Sequence, residues 1–256
     1  MSINLQRSEI LRILGRDLGW AREPSFWDER QHADADDMLT LGVLQFYSPM
    51  ILPGERSQHE WTFLTPWTTI VTAASQSDYD LPEDFGGLTD DITFLSENTG
   101  PCPIKIVSDS MIRRYQQRSQ NVTGFPEYAC IMPSPSDGSR PQAWQITFAP
   151  TPSGIYELRM RYRSNPSQII DSAPYPLGGQ PTADALIASV LCAAESKLND
   201  TQGVRYMEYV EKLRAAVAWD RSHNLQSLGY CGDRSVSSYD DEYQPSTRIY
   251  LNGVEL

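Results

Sequence analysis

The sequence predicts an α+β fold: a helical bundle built from both chain ends, an inserted antiparallel β-sandwich-like region, and an extended C-terminal arm. Two observations carry this. The hydrophobic period is helical near the N-terminus, becomes two from about residue 60 to 170, and is helical again from Pro181. After His223 the periodicity stops and the chain turns polar. The expected divisions are residues 1–55 for the N-terminal helices, 56–175 for the β-rich insertion, 176–224 for the C-terminal helices and 225–256 for the arm.

In the first helix Leu11, Leu14 and Leu18 share a face, and Gly19 stands where a glycine stops a helix. Gly15 weakens its interior slightly. Beyond a loop carrying Trp20 and Trp27, Asp34 or Asp36 is the expected cap of a second helix. Its apolar face is Leu39, Val43 and Phe46, and Pro49 blocks its continuation.

In the middle, prolines and glycines punctuate short runs, as in a sandwich or small barrel. From Tyr156 to Arg163, Tyr156, Leu158, Met160 and Tyr162 alternate with Glu157, Arg159, Arg161 and Arg163, which makes a half-buried strand. Trp144, Ile146 and Phe148 alternate in the same way. The stretch from Ala149 to Gly154 between them is a turn, so the pair is expected to form a hairpin. Further strands are expected at Trp61–Leu64, Thr69–Thr72, Tyr79–Leu81 and Tyr128–Met132.

The third helix is expected to start at Thr182 as N-cap, with Leu186, Val190, Leu191, Ala194 and Leu198 on its buried stripe. Ala183, Ala185, Ala188, Ala193 and Ala194 let a neighbouring helix come close. Tyr206, Val210, Leu213 and Val217 mark the last helix. The polar, tyrosine-bearing run from Ser235 to Pro245 makes no core of its own. The strand-like residues from Arg248 to Leu256 suit addition to the edge of another subunit's sheet.

Composition limits the function. A net charge of -12 argues against a protein that grips a nucleic-acid backbone with a basic face. Arg113, Arg114 and Arg118, and Arg159, Arg161 and Arg163, form local clusters best read as solvated faces. The first twenty residues carry Arg7, Glu9, Arg12, Arg16 and Asp17 among their apolar positions, so neither a signal peptide nor a membrane span is expected there, and the chain is expected to be made in the cytoplasm. Cys102, Cys130, Cys192 and Cys231 are scattered, without C-x-x-C spacing, and read as thiols rather than metal ligands.

Catalytic signatures are lacking: there is no G-x-S-x-G elbow, no G-x-G-x-x-G and no Walker-type loop. His59-Glu60 opens like a zinc-protease helix but has no second histidine four residues on. His32, Asp34, Asp36 and Asp37 have the composition of a cation site without a known spacing, and a helix N-terminus favours the same acids. Asp78, Asp80, Glu83 and Asp84 include the paired carboxylates of a glycosidase in number only. Asn121-Val-Thr123 fits a glycosylation acceptor that a cytoplasmic chain does not use. Neither enzymatic activity, nor a cofactor, nor a bound metal is expected.

Tyr79-Asp-Leu-Pro-Glu-Asp-Phe85 resembles the Y-x-L-P-x-D-F element of head-to-tail adaptor (connector) proteins of tailed bacteriophages, particularly short-tailed ones. The family's later elements are matched in order: Gly124-Phe-Pro-Glu-Tyr128, then Phe148-Ala-Pro-Thr-Pro152, then Leu158-Arg-Met-Arg-Tyr162 with Pro166, then paired helices with Tyr206 and Tyr209 early in the last. The loop from Ser134 to Pro141 is an extension of the pattern. The resemblance implies a structural subunit of the virion neck: a dodecameric ring under the portal, docking the tail or nozzle protein, through which DNA passes without specific contact. It also implies a C-terminal arm on the portal; Tyr239, Tyr243, Arg248, Tyr250 and Leu251, which have no evident core to join, are the expected interface residues there. Tyr79, Leu81, Pro82, Asp84, Phe85, Gly124, Pro126 and Tyr128 are expected to be structural turn and core residues. Two alternatives stay open: another neck or head-completion protein, and a carbohydrate-binding or cleaving tail protein.

Overall fold

The computed structural model describes residues 5–95, 104–118, 122–135, 138, 141–199, 203–223, 250–251 and 254–255. It is a mixed α+β structure, with five α-helices and several antiparallel pairings among these residues.

Helix α1 spans Arg7–Asp17 and buries Ile10, Leu11 and Leu14. Gly19 ends it at φ +71°, a left-handed geometry that lets Trp20 N–H reach Gly15 O at 2.8 Å. Helix α2 spans Glu29–Tyr47. Its cap is Asp28, not Asp34 or Asp36: the Asp28 carboxylate accepts from Gln31 N–H at 2.7 Å, and Gln31 Oε1 accepts from Asp28 N–H at 3.0 Å. The helix therefore begins about two turns earlier than a cap at Asp34 or Asp36 implies.

Strands β1 (Trp67–Val71), β2 (Asp78–Asp80), β3 (Phe85–Leu88), β4 (Thr93–Phe94) and β5 (Lys105–Ile106) follow. Helix α3 (Asp109–Arg118) comes next, then β6 (Thr123–Gly124), β7 (Tyr128–Pro133), β8 (Trp144–Ala149), β9 (Thr151–Pro152) and β10 (Glu157–Ser164). The segment Trp61–Leu64, expected as a strand, instead holds a 3-10 turn at Thr62–Leu64. Trp61 itself is buried among Phe46, His59 and Phe63, and its Nε1–H donates to Phe46 O at 2.9 Å.

The expected hairpin between β8 and β10 does not form. Strand β8 pairs with β2 and β7, whereas β10 pairs with β1, β3 and β4, so the prolines of Ala149–Pro152 carry the chain from one sheet to the other. Along β7 the side chains divide between two clusters. Ala129 and Ile131 belong to the cluster of Leu158, Met160 and Tyr162 on β10, while Tyr128, Cys130 and Met132 belong to that of Ile112 and Tyr115 on α3. The sheet containing β8 is thus covered on both faces, which explains why β8 is more buried than simple alternation implies.

Helix α4 (Ala183–Asn199) and helix α5 (Val204–His223) complete the described helices. Buried residues of α1, α2, α4 and α5 share one cluster, so the two ends of the sequence meet. The close approach lies between α2 and α4: a Cβ on Gly42 would stand 2.5 Å from Val190 Cα, and Ser189 Oγ donates to Gly42 O at 2.7 Å. Leu198, expected on the buried stripe, is instead 56% exposed. Tyr250–Leu251 (β11) pairs antiparallel with Val254–Glu255 (β12).

Candidate functional site

The motif residues build corners. Tyr79 sits on β2 with its ring against Phe148. Its hydroxyl accepts from Ala73 N–H at 2.8 Å and faces the carbonyls of Ala73 and Gln76 at 3.2 and 3.0 Å, pinning the loop that precedes it. Leu81 is buried and its N–H reaches Trp144 O; Pro82 O then accepts from Phe85 N–H, closing the turn. Phe85, buried against Trp144 and Tyr162, opens β3 in the other sheet. Asp84 fastens this crossing, since Tyr162 OH donates to its carboxylate at 3.0 Å and Asn165 N–H donates to its carbonyl at 2.6 Å.

Gly124, Pro126 and Tyr128 form a second corner. Gly124 runs parallel to Pro152 and its carbonyl accepts from Ser153 N–H at 3.0 Å. Pro126 is buried, and Tyr128 lays its ring 5.9 Å from that of Tyr115 on α3. Replacing Tyr79 with Phe removes the loop pin and is expected to cost about 1 kcal/mol, read as a lower denaturant midpoint at unchanged slope.

Burial pushes Tyr47 and Tyr162 up to about 12, helped at Tyr162 by the Asp84 carboxylate; burial also raises Tyr209. The folded chain therefore keeps phenol protons that the unfolded chain releases near pH 10. Their stabilisation is complete below that pH and is lost as pH rises towards 12, so the melting temperature should fall over that window. Calorimetry across it, with Tyr162→Phe flattening part of the slope, checks the sign.

Several of the acids that suggested a cation or a glycosidase are tied elsewhere. Lys197 Nζ lies 3.1 Å from Asp34 and 2.9 Å from Asp37, and Arg7 bridges Asp36 and Asp171. These ion pairs, linking α2 to α4 and to α1, account for the acids better than end-capping does. Lys197 is raised, chiefly by its hydrogen bond to Asp37. Asp78 accepts from Thr147 Oγ1 at 2.5 Å, and Asp84 is held by Tyr162. Among the described residues no group of three or more His, Cys, Asp or Glu is placed to hold a metal ion, and no helix is long and apolar enough to cross a membrane.

A tie near the end of α5 was not foreseen. Asp220, 1% exposed, collects Thr62 N–H at 3.1 Å, Thr62 Oγ1–H at 2.6 Å and His59 Nε2 at 3.0 Å. Arg221 adds an ion pair to Glu55 at 2.7 Å, and this holds Glu55 below its ordinary value. The last helix is thereby fixed to the 55–62 loop just before the arm begins. Of the arm residues, Tyr239, Tyr243 and Arg248 lie outside the described residues, as does much of the Ser134–Pro141 loop; Tyr250 and Leu251 are described only as backbone of β11.

The described residues form an α+β structure in which polar side chains tie distant elements together. The family model described as SU10 adaptor protein matches residues 7–228, and the chain belongs to that family of phage head-to-tail adaptors. A search of curated proteins found no match.

Proposed function

We propose that the chain is a head-to-tail adaptor subunit that assembles as a ring, expected to be a dodecamer, beneath the portal, where it docks the tail or nozzle protein and extends the DNA channel. The observation that carries this is the family match, which takes in the helices at both ends and the β-rich middle.

In this reading residues 1–55 and 176–224 form one bundle, 56–175 form an inserted sandwich, and 225–256 form the arm. The shared cluster of α1, α2, α4 and α5 supports the bundle, and the two-sided packing of the β8 sheet supports the sandwich. The arm carries Tyr239, Tyr243, Arg248, Tyr250 and Leu251 to the portal, with the Asp220 tie as its fixed base. Heterologous contacts between copies close the ring. A net charge of -12 favours a channel wall that repels phosphates and lets DNA slide.

The experiment is a nonsense mutation early in the gene in an otherwise intact phage. Filled heads that fail to join tails are the expected product; infectious, tailed particles in normal yield overturn the proposal. On the channel, charge-reversed lumen variants are expected to slow ejection, and an unchanged rate contradicts the repelling wall.

A further inference from the structure

Helix α1 and the turn after it enclose a groove of about 560 Å³ that the corners and ties above do not use. Leu5, Ile13 and Trp20 give it apolar walls, and Arg12, Arg16 and Arg22 line it with three guanidinium groups. The local acids offset part of this charge. Glu9 is turned back onto Gln6 N–H at 3.2 Å, and Glu23 forms an ion pair with Arg12, its Oε1 lying 3.6 Å from Arg12 Nε. That Nε is out of water and has no hydrogen-bond partner, while the Arg16 and Arg22 side chains make no ion pair among the described residues.

The groove asks for an occupant with several carboxylates and an aromatic or aliphatic side chain. The chain carries such a segment in Tyr239-Asp-Asp-Glu-Tyr243, three acids between two tyrosines. It is within reach. Arg205, at the start of α5, pairs with Asp17 at the end of α1, and α5 is roughly 30 Å long, so His223 lies about that far from the groove. The chain from His223 to Tyr239, fully extended, covers roughly 55 Å.

We propose that in the free subunit the groove on α1 docks the Tyr239–Tyr243 segment of the same chain. Arg16 and Arg22, which make no ion pair among the described residues, meet the acids Asp240, Asp241 and Glu242, and a tyrosine lies on Trp20. An aromatic, acidic stretch is thereby kept from other surfaces until assembly. Nothing in this requires that the arm then meets the portal, so the two ideas fail separately.

The test is limited digestion of the full chain by chymotrypsin, following cleavage after Tyr239 and Tyr243. Cleavage in Arg16→Glu/Arg22→Glu is expected to be at least about tenfold faster than in the unaltered chain, at a rate independent of protein concentration. The unaltered chain should lose its protection at 1 M NaCl, where screening is nearly complete. Should the double variant melt early, Trp20→Phe together with the salt series provides the same comparison. Equal rates in all variants and salts overturn the proposal. Protection that grows with concentration overturns it too, since a second copy would then be the occupant.

Discussion

Gly42→Ala is expected to lower stability by about 2 kcal/mol or more, although alanine is the better helix former. The propensity gain is about 1 kcal/mol. Against it, the new methyl would meet Val190 Cα at 2.5 Å and Val190 N at 2.8 Å, both backbone atoms that no side-chain rotation can move. The two helices must part, which opens the cluster around Phe46, Leu186 and Tyr209 and stretches the bond from Ser189 Oγ to Gly42 O. Overpacking of this kind costs typically about 1–3 kcal/mol and more where the backbone itself clashes. A melting temperature lower by roughly 5–10 °C is the expected result. Equal or higher stability would mean that α2 and α4 do not touch at this point.

Asp220→Ala is expected to cost about 3 kcal/mol. The loss comes less from the deleted carboxylate than from what it leaves behind: Thr62 N–H, Thr62 Oγ1–H and the His59 ring nitrogen, part-buried and without an acceptor. Asp220→Asn keeps an oxygen for one of them and should lose roughly half as much. Hydrogen exchange at the Thr62 amide separates this from a general loosening. It should rise in both variants while the amides of β10 hold, because that strand belongs to a different cluster. An unchanged Thr62 amide would contradict the tie.

The parts legible in the sequence were those where one face is buried. Tyr156 to Tyr162 alternates cleanly because β10 has Glu157, Arg159 and Arg161 in solvent, and Arg159 covers the exposed ring of Trp67. The route of the chain was less legible. Ala149-Pro-Thr-Pro152 marks a turn whether the next strand returns to the same sheet or crosses to the other, and local turn chemistry does not separate the two. Helix α3 was missed because Ile112 is its one buried residue, leaving no stripe to detect; Ser108 ahead of Asp109 was the available signal. The cap of α2 was misplaced because a row of acids looks like a helix start, and only the structure pairs Asp34 and Asp37 with Lys197, far along the chain. For the same reason Asp220 could not be singled out, since its partners lie on the 59–62 loop. The motif from Tyr79 to Phe85 was visible as a pattern. Its work as a fastening between two sheets needed the positions of Trp144 and Tyr162.

The most direct measurement is mass photometry of the purified protein, alone and mixed with portal rings from the same phage. Ring-sized complexes with about one adaptor per portal subunit are expected, and removal of residues 235–256 should abolish them. No complex with either the full or the shortened chain would contradict the placement beneath the portal.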